Sequence, residues 1–323
     1  MDRKQYMQIR KAHNLAINNF ALPIHYFFET LLIGSVALIW VYLQNTFYTL
    51  FAIPIVSAII FRNFSLMHEA VHLAVSKSSR LNDIVGLISG SICLLPFEPW
   101  KKSHLEHHLW TGNVERDPVM AIIKFLPSLN PRFQSFLSAC WRLWIPTLSI
   151  MQYGVFYFLA AKIYLAKRDS IRVLISLCAP LILWGFLFTL LPTSFTLIIL
   201  LPALILYMIA VEIVNFPHHL QLQQYAGDAK FALWDQHHFA RSCTYPKWFA
   251  RWVVLNFNYH IEHHMFPDVP WYHLDKLHIS VKSALTDSYN SDEQFAWILA
   301  NKPKELASVV SLPQPPKVVS KAS

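Results

Sequence analysis

Four stretches of this chain stay apolar long enough to cross a bilayer: residues 26–43, 47–66, 171–191 and 195–216. A helix needs about 20 apolar residues to span the hydrocarbon core. Inside that core every backbone N–H and C=O must be paired within the protein, and a helix does this alone. Residues 44–46 join the first two stretches, and Pro192, Thr193 and Ser194 join the last two. Joints this short predict two antiparallel helical hairpins. Charged residues make up only 14% of the 323, against about a quarter in a soluble domain. The deficit fits a surface that faces lipid.

The remaining charge is unevenly placed. Of the 27 lysines and arginines, only Arg62 and Arg172 lie within the four stretches, and neither short joint carries one. By the positive-inside rule both termini and the long middle region face the cytosol. The expectation is a multi-pass integral membrane protein with its termini and active site on that side. The same asymmetry accounts for the net charge of +8, and no dense basic cluster points to nucleic acid. Two shorter apolar runs, 84–97 and 143–165, are expected as interfacial helices that lie on or dip into the membrane. Residues 1–302 read as one domain. The Pro-, Ser- and Lys-rich tail over 303–323 is expected to be disordered. Cys93, Cys140, Cys178 and Cys243 stand far apart with no CxxC pair, as expected of thiols in a reducing compartment. The basic N-terminus shows no signal-peptide cleavage pattern, so none is expected to be removed.

Half of the 16 histidines fall in three regular clusters: HEAVH over 68–72, HLEHH over 104–108 and HIEHH over 260–264. The first continues the second apolar stretch and places His68 and His72 at i and i+4 on one helical face. Positions i, i+3 and i+4 also share a face, so each later cluster can aim three imidazoles at one point. A further group, NFPHH over 215–219, closes the fourth stretch. In the predicted topology all four groups meet the same membrane face. His219 raises the count to nine nitrogen donors, and one metal ion accepts only about four to six ligands. The number therefore points to two metals. HEAVH also fits HExxH, the zinc hydrolase signature with glutamate as general base. A zinc protease would have no use for two extra HxxHH clusters. Imidazole suits iron, zinc, copper and nickel alike, so the donors alone leave the metal open.

The order HxxxH, HxxHH, HxxHH around paired spans resembles the membrane fatty acid desaturase and hydroxylase superfamily. TGN over 111–113 and ERDP over 115–118 follow the second cluster, as in that family's second histidine box. NFNYHIEHHMFP over 256–267 is similar to its third, and Asn215 with His219, spaced NxxxH, matches its extra metal-site pair. The resemblance covers roughly residues 26–285. It implies an all-α integral membrane fold, with four transmembrane helices in two hairpins under a cytosolic cap that carries the dimetal site. It also implies two non-haem iron ions, dioxygen as co-substrate and electrons from a separate carrier. Carried over by position, His68, His72, His104, His107, His108, His219, His260, His263 and His264 would ligate iron, and Asn215 would approach one iron through a water. Three residues, not the four typical of the stearoyl-CoA type, separate His68 from His72. His260 stands where front-end desaturases have glutamine. No HPGG haem motif is present, so a ferredoxin- or cytochrome-like donor would be external.

The resulting expectation is an acyl desaturase acting on a free, CoA-, carrier- or lipid-linked fatty acyl chain. Hydroxylation, carotenoid ketolation and decarboxylation to a terminal alkene are the alternatives within the superfamily. Five carboxylates beside the clusters, Glu69, Glu106, Glu262, Asp117 and Asp268, are candidates to accept a hydrogen bond from a ligand imidazole and fix its orientation. His218 is expected to face away from the metals, and His237 and His238 to lie on the surface. His13, His25, His273 and His278 read as ordinary. Trp100, Trp110, Trp234 and Trp271 are candidates for an acyl tunnel wall or for interfacial anchors.

Overall fold

The structure is a computed structural model that describes residues 1–43, 46–160, 170–311 and 317–318. In chain order, α1 (Arg3–Ala12) precedes a long pair, α2 (Ala21–Leu43) and α3 (Thr46–Val71). Then come α4 (Ser79–Ile92), α5 (Phe97–Trp110), α6 (Ala121–Ser128), α7 (Pro131–Arg142) and α8 (Thr147–Gly154). A second long pair follows, α9 (Ser170–Leu190) and α10 (Thr193–His219). The C-terminal third holds β1 (Tyr225–Ala226), β2 (Ser242–Thr244), α11 (Lys247–Trp252), α12 (His260–Met265) and α13 (Leu274–Leu285). It continues with β3 (Ser291–Glu293), α14 (Gln294–Asn301) and α15 (Leu306–Val310). The short strands β2 and β3 pair in parallel.

Helices α2, α3, α9 and α10 have the length and apolar composition to cross a membrane. Phe27, Leu31, Ile33 and Leu38 of α2 are exposed, as are Ile171, Leu174, Ile182 and Phe186 of α9. Exposed apolar faces of this extent belong against lipid. The α9–α10 joint is as short as expected. Residues 44–45 of the first joint lie outside the described residues.

Residues 84–97 run through the second half of α4, the break after it and the first residue of α5. Helices α4 and α5 are bent by 108° at the break between them, and α4 packs along α3. Such a turn among apolar helices leaves carbonyls in need of donors. Trp184 Nε1 donates to Ser91 O (3.0 Å), Tyr153 Oη to Cys93 O (2.6 Å) and Tyr157 Oη to Leu94 O (3.2 Å). The first donor comes from α9. The other two come from α8 and its helical continuation to residue 160, which together form most of the described part of the expected 143–165 segment; residues 161–165 lie outside the described residues. Gly86 admits the Phe97 ring, which stands 2.1 Å from where a Cβ would sit. The bend turns α5 back toward the end of α3, so the first two histidine clusters meet.

A buried polar pin joins α2 to α3. Arg62 Nε donates to Glu29 Oε1 at 3.0 Å, Asn63 Nδ2 to Glu29 Oε2 at 2.8 Å, and an Arg62 NH2 nitrogen contacts His25 Nδ1 at 3.1 Å. Arg62 also donates to the carbonyl of Trp252, and Ser65 Oγ to that of Val254 at 3.1 Å. The pin therefore ties both spans to the loop that enters α12. His25 is thus part of a buried charge network, not an ordinary surface histidine.

Under the spans, two apolar clusters build the cap. One packs Tyr6 and Ile9 of α1 against Ile261, Met265 and Phe266 and against Leu277 and Val281 of α13. The other joins Leu126, Leu137 and Trp141 to Trp297, Leu306, Val309 and Val310. The last three belong to α15, so the stretch expected to be disordered from residue 303 contains a helix with a buried face. Residues 312–316 and 319–323 lie outside the described residues.

Candidate metal centre

Five residues before α12 the chain is already committed to its geometry. Leu255 and Asn256 adopt left-handed φ of 50° and 55°, a region asparagine tolerates better than most residues. Asn256 Nδ2 donates to Trp271 O (2.9 Å) and Asn258 Nδ2 to Cys243 O (2.8 Å). Those bonds fix how α12 enters and hence where its three histidines point. At the second cluster, Gly112 takes a φ of 79° with the Phe239 ring against its Cα. The turn it makes brings Asp117 back beneath α5.

The nine predicted histidines converge as two groups. His68, His72, His104, His108 and His263 form one; His107, His219, His260 and His264 form the other. Within each group one ligand atom per residue lies within 4.8 Å of all the rest. In the first, His104 Nε2 stands 2.9 Å from His72 Nε2 and 3.1 Å from His108 Nε2, which is 3.0 Å from His263 Nε2. In the second, His107 Nε2 stands 3.1 Å from His219 Nε2, and His260 Nε2 stands 2.8 Å from His219 Nε2 and 3.1 Å from His264 Nε2. The groups share a wall, where the His108 and His264 rings stack at 4.2 Å and 14°.

Neither HxxHH cluster aims three imidazoles at one point. His104 and His108 serve the first group and His107 the second; His260 and His264 serve the second and His263 the first. The reason is helical geometry. At about 100° per residue, positions i and i+4 lie about 40° apart, while i+3 falls about 100° from i+4. One short helix therefore feeds both groups.

The hydrogen bonds test whether these donors suit metal ions. His107 Nδ1 donates to Asp117 Oδ1 (2.8 Å), His219 Nδ1 to Phe239 O (3.0 Å) and His264 Nδ1 to Gln236 Oε1 (3.0 Å). A neutral imidazole has one N–H, so the Nε2 of each carries a bare lone pair. His107 Nε2 lies 3.1 Å from that of His219 and 3.3 Å from that of His264. Lone pairs held this close repel unless a cation lies between them. Two nitrogens each ~2.1 Å from an ion at right angles stand ~3.0 Å apart, which matches. Among the described residues His68 Nε2 is buried without a partner, as a ligand nitrogen would be. Protonation does not relieve the crowding. Burial, reinforced by the neighbouring imidazoles, pushes His104, His108, His260, His263 and His264 well below the usual imidazole range. The donor set is that of a metal site.

The five candidate carboxylates separate sharply. Asp117 is the partner of His107 and also accepts from Gly112 N (3.0 Å) and Val119 N (2.9 Å). Glu69 is buried and accepts from Trp271 N at 2.7 Å, with His68 Nδ1 4.0 Å away, so it braces α3 against the cap. Glu262 is buried and faces away from the metals. It accepts from His278 Nδ1 (2.7 Å), Tyr289 Oη (2.8 Å) and Ser242 Oγ (2.7 Å). Asp268 pairs with Arg10 of α1 at the surface. Glu106 is exposed, and among the described residues it makes no hydrogen bond to an imidazole.

Asn215 lies one turn before His219, and its Nδ2 donates to Val211 O at 2.8 Å. His218 stays outside both groups, with its ring stacked on His260 at 4.1 Å and 13°. Trp100 stacks on His104 at 4.7 Å and 9°, so it bears on a ligand ring directly. His237 is buried, not on the surface. Gln236 and Thr111 also reach the site, at 3.0 Å and 3.3 Å from His264 Nδ1. Thr111 carried a faint signal in the TGN that follows the second cluster, whereas Gln236 lies in a stretch without regular spacing.

A mostly helical membrane protein with nine buried or half-buried imidazoles in two groups that could each hold a metal ion belongs to a narrow class, that of membrane proteins built on histidine boxes. The family model for fatty acid desaturases matches residues 45–295, and the chain belongs to that family. It is 25% identical over 309 residues to an omega-3 fatty acid desaturase of Caenorhabditis elegans, covering 88% of this chain and 68% of that one. It is 24% identical over 292 residues to a ferredoxin sn-1 acyl-lipid omega-3 desaturase of Nostoc, covering 86% and 80%. Over 54 residues, 17% of this chain and 14% of the relative, it is 48% identical to a delta(12)-fatty-acid desaturase of Arabidopsis thaliana. The protein is an oxidoreductase of the fatty acid desaturase type. The zinc hydrolase reading is not favoured: His68 and His72 share their group with three further imidazoles, and Glu69 is engaged by the backbone of Trp271.

Proposed function

We propose that each imidazole group holds one iron ion, with the nine histidines as ligands and Asn215 beside the four-imidazole group. The protein then uses dioxygen, and electrons from a separate carrier, to insert a double bond into an acyl chain. A bound iron pair supplies the oxidising chemistry that acid–base side chains cannot provide against an unactivated C–H bond. The chain's own residues position and tune it. Asp117 draws on the His107 N–H and strengthens that ring as a donor. Phe239 O and Gln236 hold His219 and His264 in the tautomer that leaves Nε2 free. Trp100 fixes the plane of His104. The apolar residues around Phe64, Tyr207 and Phe257 keep water from the inner side of the site.

The names of the cyanobacterial relatives, which specify acyl-lipid substrates and ferredoxin, support a lipid-linked acyl chain and a ferredoxin-type donor. The distribution of lysine and arginine supports a cytosolic face for the site and both termini. The observation that carries the reading is the convergence of nine Nε2 lone pairs in two groups whose tautomers are partly locked from outside. Metal quantification with mass spectrometry of lipid products tests it. The expected result is about two irons per chain and a product lighter by two hydrogens. A product carrying added oxygen, or one lacking carbon dioxide, would replace desaturation by hydroxylation or decarboxylation. One zinc per chain without oxygen uptake would overturn the reading.

A further inference from the structure

Gln236 is buried between the two imidazole groups and touches both. Its Nε2 donates to the backbone carbonyl of His108 at 2.9 Å, and its Oε1 stands 3.0 Å from His264 Nδ1. The amide orientation follows from chemistry: a carbonyl can only accept, so the NH2 faces His108 and the oxygen faces His264. His264 Nδ1 must then be the donor, and His264 Nε2 the bare lone pair. Thr111 Oγ1 completes the cradle. It donates to His107 O at 2.8 Å and lies 3.2 Å from Gln236 Oε1 and 3.3 Å from His264 Nδ1.

The bracing is unequal around the site. In the four-imidazole group, His107, His219 and His264 each donate Nδ1–H to an oxygen. Among the described residues, the fourth member of that group, His260, has its Nδ1 buried without a partner, and so do His108 and His263 of the five-imidazole group, where no Nδ1 has an oxygen acceptor of this kind. A ligand without an outer partner is free to rotate and to exchange tautomers, whereas a braced one is pre-organised. Of the three braces, Asp117 lies in the same box as its histidine and Phe239 offers only backbone. Gln236 alone is a side chain that spans from the second box to the third.

We propose that Gln236 is a positioning residue that locks the His264 tautomer and holds α12 in register with α5, so that the four-imidazole group binds its ion. The proposal rests on the two-metal reading of the site. Its loss would weaken the ion held by His107, His219, His260 and His264 and leave the other in place.

The test compares Gln236→Leu and Gln236→Glu in the full-length protein, titrated with cobalt(II) after metal removal. Binding is followed by the ligand-field spectrum and by metal content. Leucine fills the space but offers no acceptor. Glutamate keeps an oxygen toward His264 and, when protonated, a donor toward His108. The expected result is two ions per chain in the unsubstituted protein. In Gln236→Leu one of the two should bind about 10–100-fold more weakly, with affinity largely restored in Gln236→Glu. Thermal unfolding of the metal-free proteins controls for folding, and Thr111→Val, which removes a neighbouring hydroxyl, should give a smaller loss at the same ion. Wild-type affinity at both ions in Gln236→Leu would overturn the proposal. So would equal loss in the leucine and glutamate variants, or equal weakening of both ions, since each marks a packing role. Failure of the unsubstituted protein to bind two ions would instead strike at the two-metal reading.

Discussion

His107 Nδ1 lies 2.8 Å from Asp117 Oδ1, and both side chains are buried. The carboxylate also caps the turn that follows α5 through the amides of Gly112 and Val119. One residue thus orients a ligand and shapes the loop beneath it. Asp117→Asn sets an NH2 against at least one of these donors. The expected outcome is metal affinity lower by about 10–100-fold and a matching fall in desaturated product. Metal content after dialysis checks it, and unchanged retention would show the bond to be ornamental.

Glu262 and Glu106 occupy the same position in two look-alike boxes but differ in environment. Glu262→Leu leaves Ser242, Tyr289 and His278 without their acceptor. Each stranded buried group costs about 1–3 kcal/mol, so a large drop in the thermal unfolding temperature in detergent is expected. Glu106→Leu, at an exposed position, should shift stability by less than about 0.5 kcal/mol and leave metal content intact. Equal effects of the two would contradict the structure.

His263 joins α12 to the five-imidazole group, 3.0 Å from His108 Nε2. His263→Ala should abolish product formation and lower metal content while the protein stays in the membrane. Lipid analysis alongside membrane fractionation reads both, and a fully active variant would remove His263 from the site.

Arg62 and Glu29 form a buried ion pair in the spans, with side-chain exposures of 8% and 5%. Arg62→Leu strands the Glu29 carboxylate, and breaking a buried pair costs about 3–5 kcal/mol. Because Arg62 also holds the Trp252 carbonyl, loss of metal should accompany loss of stability. Adding Glu29→Gln should recover much of the stability, a non-additivity that thermal unfolding can measure.

Metal removal should make the protein acid-sensitive. Free histidine titrates near pH ~6.5, but burial lowers His72 to about 3 and holds its neighbours well below their usual range. Between those values the unfolded chain binds more protons than the folded one, so stability falls as pH drops through that window. Each such imidazole contributes about 1.4 kcal/mol per pH unit. Thermal unfolding of chelated protein from pH 8 to pH 5 should show stability constant above ~6.5 and declining below it. A flat profile would mean that the imidazoles are not held neutral.

The four spans and the nine histidines were legible because both rest on local regularities, apolar length and i, i+3, i+4 spacing. The carboxylates were not. Glu69, Glu106 and Glu262 each adjoin a histidine inside a cluster, yet one braces the cap, one is exposed and one anchors α12. Asp117 and Asp268 each follow a box closely, but only Asp117 returns to a ligand, because Gly112 turns the chain back. The helix at α15 escaped a compositional reading because its three buried apolar residues gain their partners from distant segments, α6, α7 and α14 among them.

By itself the sequence determined that the chain is a membrane protein, that its histidines are numerous enough for two metals, and which nine of them would come together. Helix periodicity and hydrophobic length act within a few turns and need no distant partner. Tertiary structure alone decided how the imidazoles divide into five and four, which carboxylate meets a ring, and that Gln236 links two boxes. Each of those depends on where separate helices stop relative to one another, which the 108° bend and the Arg62 pin set.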